Sequence, residues 1–182
     1  MKQKTGKEIE DNYNLDALRK PKSKRINSNK KGGTFARKIC EILNTRFNVK
    51  EFSKTPGSGA YATTHNLPEH LQIYGDVITP KSFRFCVELK KGYNKVTLGS
   101  WFNKKSQIWE FITQSERDSV KANKISLLCF QQDRKVILFI LESKYLKDKE
   151  LKQKIKISLD DREYTMGRLD ELLSFEDNFF LN

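Results

Sequence analysis

Histidine and cysteine are scarce in this chain, and the shortage argues against the common zinc chemistries. There are two histidines, His65 and His70, which flank a proline-containing loop with no cysteine nearby. The three cysteines, Cys40, Cys86 and Cys129, are odd in number, widely spaced, and each set in an apolar run. They read as reduced core residues rather than metal ligands or disulfide partners. No apolar run approaches the roughly 20 residues of a membrane span. No apolar stretch follows Met1-Lys2-Gln3-Lys4, so no signal peptide is expected. Internal repeats are absent. So are the ligand spacing of a zinc finger and the compact helix triplet of a helix-turn-helix regulator.

Acidic charge is the other shortage. Lys and Arg number 35 against 23 Asp and Glu, a net charge of +12. Such an excess suits a polyanionic partner, nucleic acid before membrane. Residues 1–31 hold ten Lys/Arg against four acids, with few apolar residues and no period. This stretch reads as a flexible basic arm, either a solubilising tail or an arm that grips DNA. Residues 32–182 then form one domain, long enough for a real core.

Gly32-Gly33 punctuates the start of that domain, and Thr34 is the expected N-cap. Phe35, Ile39, Ile42, Leu43 and Phe47 recur at helical spacing, which predicts an amphipathic helix over 34–47. A short strand is expected within 49–54. Thr55-Pro56-Gly57-Ser58-Gly59-Ala60 is a turn-rich loop, and an irregular stretch follows to Ile73. A second helix is expected over 104–122, with Ile108, Trp109, Phe111, Ile112 and Ser115 on one side. Residues 125–130, 136–141 and 155–159 read as strands, and 166–173 as a last helix. The aromatics Phe175, Phe179 and Phe180 are either core or an interface patch. Trp101 and Trp109 either pack or stack on bases. The order of elements predicts a mixed α/β domain with a central sheet.

The most informative segment joins Asp76 to Glu88-Leu89-Lys90. Eleven residues separate the two carboxylates, with a turn at Pro80-Lys81-Ser82 between them. Residues 83–90 read as a strand. Side chains alternate along a strand, so Glu88 and Lys90 share one face while Val87 and Leu89 point the other way. A hairpin would bring Asp76 beside that pair. Two carboxylates and an ammonium would then converge, a costly arrangement unless a hard cation such as Mg²⁺ sits there.

These residues resemble the PD-(D/E)xK nuclease superfamily. Within it, segment 32–134 is similar to the archaeal and phage Holliday-junction resolvases and related phage endonucleases. The likeness rests on Lys30-Lys31-Gly32-Gly33, Lys54 to Ala60, Tyr74-Gly75-Asp76-Val77-Ile78, Val87 to Lys91, Gln114, and Leu127 to Phe130. It implies a restriction-endonuclease-like fold, a central mixed β-sheet flanked by helices. It implies a catalytic set of Asp76, Glu88 and Lys90. The metal ligands would be Asp76, Glu88 and the Leu89 carbonyl, with Mg²⁺ as the ion and Mn²⁺ as a substitute. Lys90 would position the attacking water and steady charge on the phosphate. Lys31, Arg37, Lys54, Ser58 and Lys91 would meet the DNA, and Gln114 either the lysine or the DNA. These families usually carry a glutamate early in the first helix. Ala36 stands there in this chain, and Glu41 lies about 140° further around the helix axis.

The expected function is a metal-dependent DNA endonuclease, a homodimer acting on branched DNA, in the cytoplasm of a bacterial, archaeal or phage-infected cell. Phe175 to Leu181 and the tryptophans are candidates for the dimer contact, the alternative being that these aromatics fold back onto their own sheet. No small-molecule cofactor or membrane is expected. The alternatives are a restriction-like or repair nuclease on duplex DNA, and a catalytically weakened DNA-binding protein on the same fold.

Overall fold

The computed structural model describes residues 28–56 and 73–182. Ser58, His65, His70 and residues 1–27 of the basic arm lie outside the described residues. Helix α1 (Ser28–Phe47) comes first. Phe35, Ile39 and Leu43 form its buried face, with Ile42 and Phe47 partly buried alongside. The helix starts earlier than the glycines suggest. Thr34 is no cap: its hydroxyl donates to the Lys30 carbonyl at 2.9 Å, one turn back inside the helix. Glycine costs about 1 kcal/mol relative to alanine in a helix. Against that cost, Lys31 Nζ meets Asp133 Oδ2 at 3.0 Å and ties the early turns to the rest of the domain.

Strands β1 (Ser53–Lys54) and β2 (Val77–Ile78) pair antiparallel with each other. Then come β3 (Phe85–Lys91), helix α2 (Gln107–Lys121) and β4 (Ile125–Gln131). β3 and β4 run parallel, with Glu88 opposite Leu128. α2 supplies the crossover that a parallel pair requires. β5 (Leu138–Glu142), β6 (Lys154–Leu159) and β7 (Arg162–Arg168) complete an antiparallel extension. The order across the five-stranded sheet is β3-β4-β5-β7-β6. This is the expected restriction-endonuclease-like fold, a mixed sheet flanked by helices.

The sheet separates two cores. Phe85, Val87, Leu127, Cys129, Phe139 and Leu141 pack on the α1 side. Leu128, Phe130, Ile140 and Tyr164 pack on the α2 side, with Trp101, Ile108, Trp109 and Ile112. Both tryptophans are therefore packing residues, edge to face at 5.4 Å, and neither offers a face to a base. All three cysteines are free and buried, as expected. Among the described residues no helix is long and apolar enough to cross a membrane.

Two expectations fail near the C-terminus. Met166 lies in β7 rather than opening a helix, because β7 pairs on both sides, with β5 and β6. The helix is only α3 (Leu169–Leu172), followed by α4 (Asp177–Phe180). The terminal aromatics are not an interface patch. Phe180 is fully buried, stacked on Phe83 at 6.2 Å and edge-on to Phe47 at 5.3 Å. The Phe180 carbonyl accepts from Arg84 N–H at 2.8 Å, so the segment is stitched to the chain entering β3. It covers its own core instead of a partner's.

Candidate active site

The turn expected after β2 is present, with Phe83 N–H donating to the Pro80 carbonyl at 3.1 Å. The expected hairpin is not. β2 forms its ladder with β1, and only Asp76 touches β3 through backbone. Asp76 N–H donates to the Val87 carbonyl at 2.8 Å, and Leu89 N–H donates to Asp76 Oδ2 at 2.9 Å. Among the described residues β3 is an edge strand, and these groups have no ladder partner there on that side. Asp76 takes up both. Gly75 makes this approach possible. Its φ is +77°, and a Cβ there would lie 2.8 Å from the Val87 oxygen.

Strand parity sends Cys86, Glu88 and Lys90 to the α2 side. There Lys90 Nζ meets Glu88 Oε1 at 2.7 Å. Gln114, from α2, closes a triangle. Its Oε1 accepts from Lys90 Nζ at 2.8 Å and its Nε2 donates to Glu88 Oε1 at 2.9 Å. Lys90 also lies over the Phe111 ring, 5.1 Å from its centroid. The set is dry: the side chains of Lys90 and Glu88 are 13% and 4% exposed.

Burial raises the cost of charge here. Desolvation is the main cause that pushes the Asp76 carboxyl up, opposed by the Leu89 N–H and Lys90. The Glu88 carboxyl is pushed up to about 7, first by burial, then by the Asp76 charge, with Lys90 opposing. One ammonium does not compensate two buried carboxylates. The donors left are carboxylate oxygens and the Leu89 carbonyl, which leaves an edge strand on the side of its N–H. All are hard oxygen ligands, the set a hard divalent cation prefers. Among the described residues no cluster of three or more His, Cys, Asp or Glu is close enough to form a metal cage by itself.

The remaining candidates split into groups. Lys54 Nζ lies 3.6 Å from where a Gly33 Cβ would sit, and Arg37 3.9 Å from it. Lys54 is also close enough to Asp76 to stabilise its charge. Arg37 is exposed and bonds Thr34 Oγ1 at 3.3 Å. Lys31 and Lys91 gather around Asp133, at 3.0 and 4.0 Å. Lys91 also donates to Gln131 Oε1 at 2.9 Å. Ala36 is buried and Glu41 exposed, so neither brings a carboxylate to the cluster.

Three residues escape a reading of the sequence. Asp118, one turn beyond Gln114 on α2, raises both Asp76 and Glu88 through its charge; its i+4 spacing from Gln114 is the signal. Thr55 donates its N–H to the Asp76 carbonyl at 3.0 Å, while its buried hydroxyl has no hydrogen-bond partner among the described residues. Asp133 sits in a turn, far from its lysines in sequence, and nothing local marks it.

A family profile described as "phage putative PDDEXK endonuclease" matches residues 27–182. No curated protein and no solved structure matches the chain. The profile spans α1, the whole sheet and the Asp76–Lys90 cluster, and the chain belongs to this phage PDDEXK endonuclease family.

Proposed function

We propose that this protein is a Mg²⁺-dependent DNA endonuclease that cuts branched DNA as a homodimeric Holliday-junction resolvase. The observation that carries the nuclease reading is the meeting of Asp76, Glu88 and Lys90 at the edge of β3. Asp76, Glu88 and the Leu89 carbonyl would hold the cation, Mg²⁺ by preference and Mn²⁺ in substitution. When bound, the cation makes water more acidic and offsets the charge that builds on the phosphate. Lys90 orients the attacking water and steadies the phosphate oxygens. Gln114 and Glu88 fix the lysine ammonium, so its position is set before DNA arrives. Lys31, Arg37, Lys54, Ser58 and Lys91 hold flanking phosphates, and the basic arm adds charge. No small-molecule cofactor takes part, and the work is done in the cytoplasm of the host cell.

The net charge of +12 favours a DNA partner. A two-fold pair of sites is what symmetric cutting of a junction requires. The C-terminal aromatics are spent on the core. Leu98 and Phe102, 61% and 87% exposed on the segment after β3, offer apolar surface for the contact.

A second reading has its own observation. α1 sets Gly33 and Arg37 beside Lys54 of β1 but brings no carboxylate, and Ala36 is buried. A site short of one acid would bind DNA and cut it slowly. A third, a restriction-like or repair nuclease on duplex DNA, shares the same chemistry.

Labelled four-way junction, flap and linear duplex, each with Mg²⁺, Mn²⁺ or EDTA, separate these readings. Paired nicks in the junction, with duplex spared and EDTA silent, are expected. Equal cutting of linear duplex overturns the resolvase assignment. A mobility shift without any cutting overturns the enzyme. Sedimentation as a single 21.3 kDa species, with and without junction DNA, overturns the dimer.

A further inference from the structure

Parity sends Lys91 to the opposite face of β3 from Lys90. There it enters a cavity of about 570 Å³ between the first turns of α1 and the turn after β4. Five cations, Lys30, Lys31, Lys38, Lys91 and Arg134, line this cavity against a single carboxylate, Asp133. The apolar part of its walls comes mainly from the aliphatic stems of these cations, because Phe35, the one apolar side chain in the lining, is only 3% exposed and has its ring centre 5.8 Å from Lys91 Nζ. Asp133 is shared among Lys31 at 3.0 Å, Lys91 at 4.0 Å and the Asn94 amide at 3.0 Å. One carboxylate thus stands where several cations converge, in the place a phosphate would take.

We infer that this cavity binds one unpaired nucleotide of the DNA strand next to the cut, its phosphate on the ammonium rim and its base and sugar against the apolar walls. A cation cluster alone would need only a phosphate. Apolar walls add a place for a ring, and a ring reaches them only when it leaves the duplex stack. Lys90 and Lys91 are neighbours on the edge strand β3 and face opposite sides of it, so a DNA strand lying along that edge would reach both sites. Substrate choice then comes from this cavity: DNA with an unstacked nucleotide beside the cleavage point is preferred over continuous duplex. Asp133 keeps the cations assembled and competes with the phosphate. The inference rests on the DNA-cleaving reading of the Asp76–Lys90 cluster, and its test does not require cleavage.

The test uses the full chain in EDTA with two fluorescent DNA probes of equal length, a flap and a continuous duplex. 2-Aminopurine occupies the flap nucleotide beside the branch. Wild-type protein is expected to bind the flap about tenfold more tightly and to raise 2-aminopurine emission as the base leaves its neighbours. Lys38→Gln with Arg134→Gln, both exposed residues, is expected to remove most of that preference while duplex affinity falls only about threefold. Asp133→Asn is expected to tighten flap binding. Lys91→Gln supplies an independent reading, with circular dichroism to verify folding. Equal loss on both probes overturns the inference and leaves a plain electrostatic patch, as does unchanged 2-aminopurine emission. Binding with this preference but no cutting in Mg²⁺ or Mn²⁺ would sink the nuclease reading and leave the cavity standing.

Discussion

The two faces of β3 are equally dry and chemically opposite. Phe85 and Val87 face α1 and are essentially inaccessible, at 1% and 0% exposure. Glu88, the next residue along on the other face, is 3% exposed. Burial stabilises the first face, because apolar surface leaves water. The same burial penalises the second, because a carboxylate loses its hydration. One strand therefore holds the fold together on one side and stores electrostatic cost on the other. Such a stored cost marks the cluster as a candidate functional site.

The sharpest way to break the comparison is to remove a carboxylate. Asp76→Ala or Glu88→Ala is expected to lower cleavage by about a thousandfold, comparable to losing a principal transition-state contact. DNA binding should hold or tighten in an electrophoretic shift assay, since a charge facing phosphate is gone. Lost binding together with a lower melting temperature would put these residues with Val87 as structural.

A smaller effect separates the faces by pH. The Glu88 carboxyl is pushed from 4.5 to about 7 in the folded chain. Above 4.5 the unfolded chain releases this proton while the folded chain keeps it. Stability therefore falls as pH rises through the window from 4.5 to about 7, then levels. The loss is on the order of 3 kcal/mol at most. Melting curves of metal-free protein from pH 4.5 to 8 should show it, Glu88→Gln should remove it, and Mg²⁺ should restore stability at the high end. A flat profile for wild type would show that the site carries no such cost.

The apolar face responds differently. Val87→Ala should cost about 2 kcal/mol in denaturant unfolding and leave the cleavage rate per folded molecule unchanged. The mildest case lies between the faces. Gln114→Ala should slow cleavage about tenfold, the order expected of a group that only orients a catalytic one. It should also shift the pH–rate profile as Glu88 loses the Gln114 amide that donates to it, with little change in melting temperature. An unchanged profile would make Gln114 a bystander.

The cluster was legible because period-two alternation fixes which of Glu88, Leu89 and Lys90 share a face. α1 was legible from Phe35 onwards, through its apolar repeat. Its earlier turns were not, since Gly32-Gly33 reads as a break and the Lys31–Asp133 bond joins residues 102 positions apart. β7 was hidden because its apolar positions are few and its support comes from strands on both sides. The terminal aromatics announced their hydrophobicity but not their destination. Ring contacts with Phe47, Phe83 and Phe85 decided that, and none is local in sequence.

The sheet has two open borders, and each is guarded against self-association. On β6 the exposed Lys154 and Lys156 place charge where another strand would dock. On β3 the guard is Asp76, which occupies the Val87 carbonyl and the Leu89 N–H that an incoming strand would seek. A residue of the candidate site thus also blocks fibril-like stacking of one molecule on the next. Asp76→Ala frees the Leu89 N–H while the backbone N–H of residue 76 still covers the Val87 carbonyl, whereas Glu88→Ala leaves both groups covered. Of these two variants, the first should scatter more light on concentration or gentle warming.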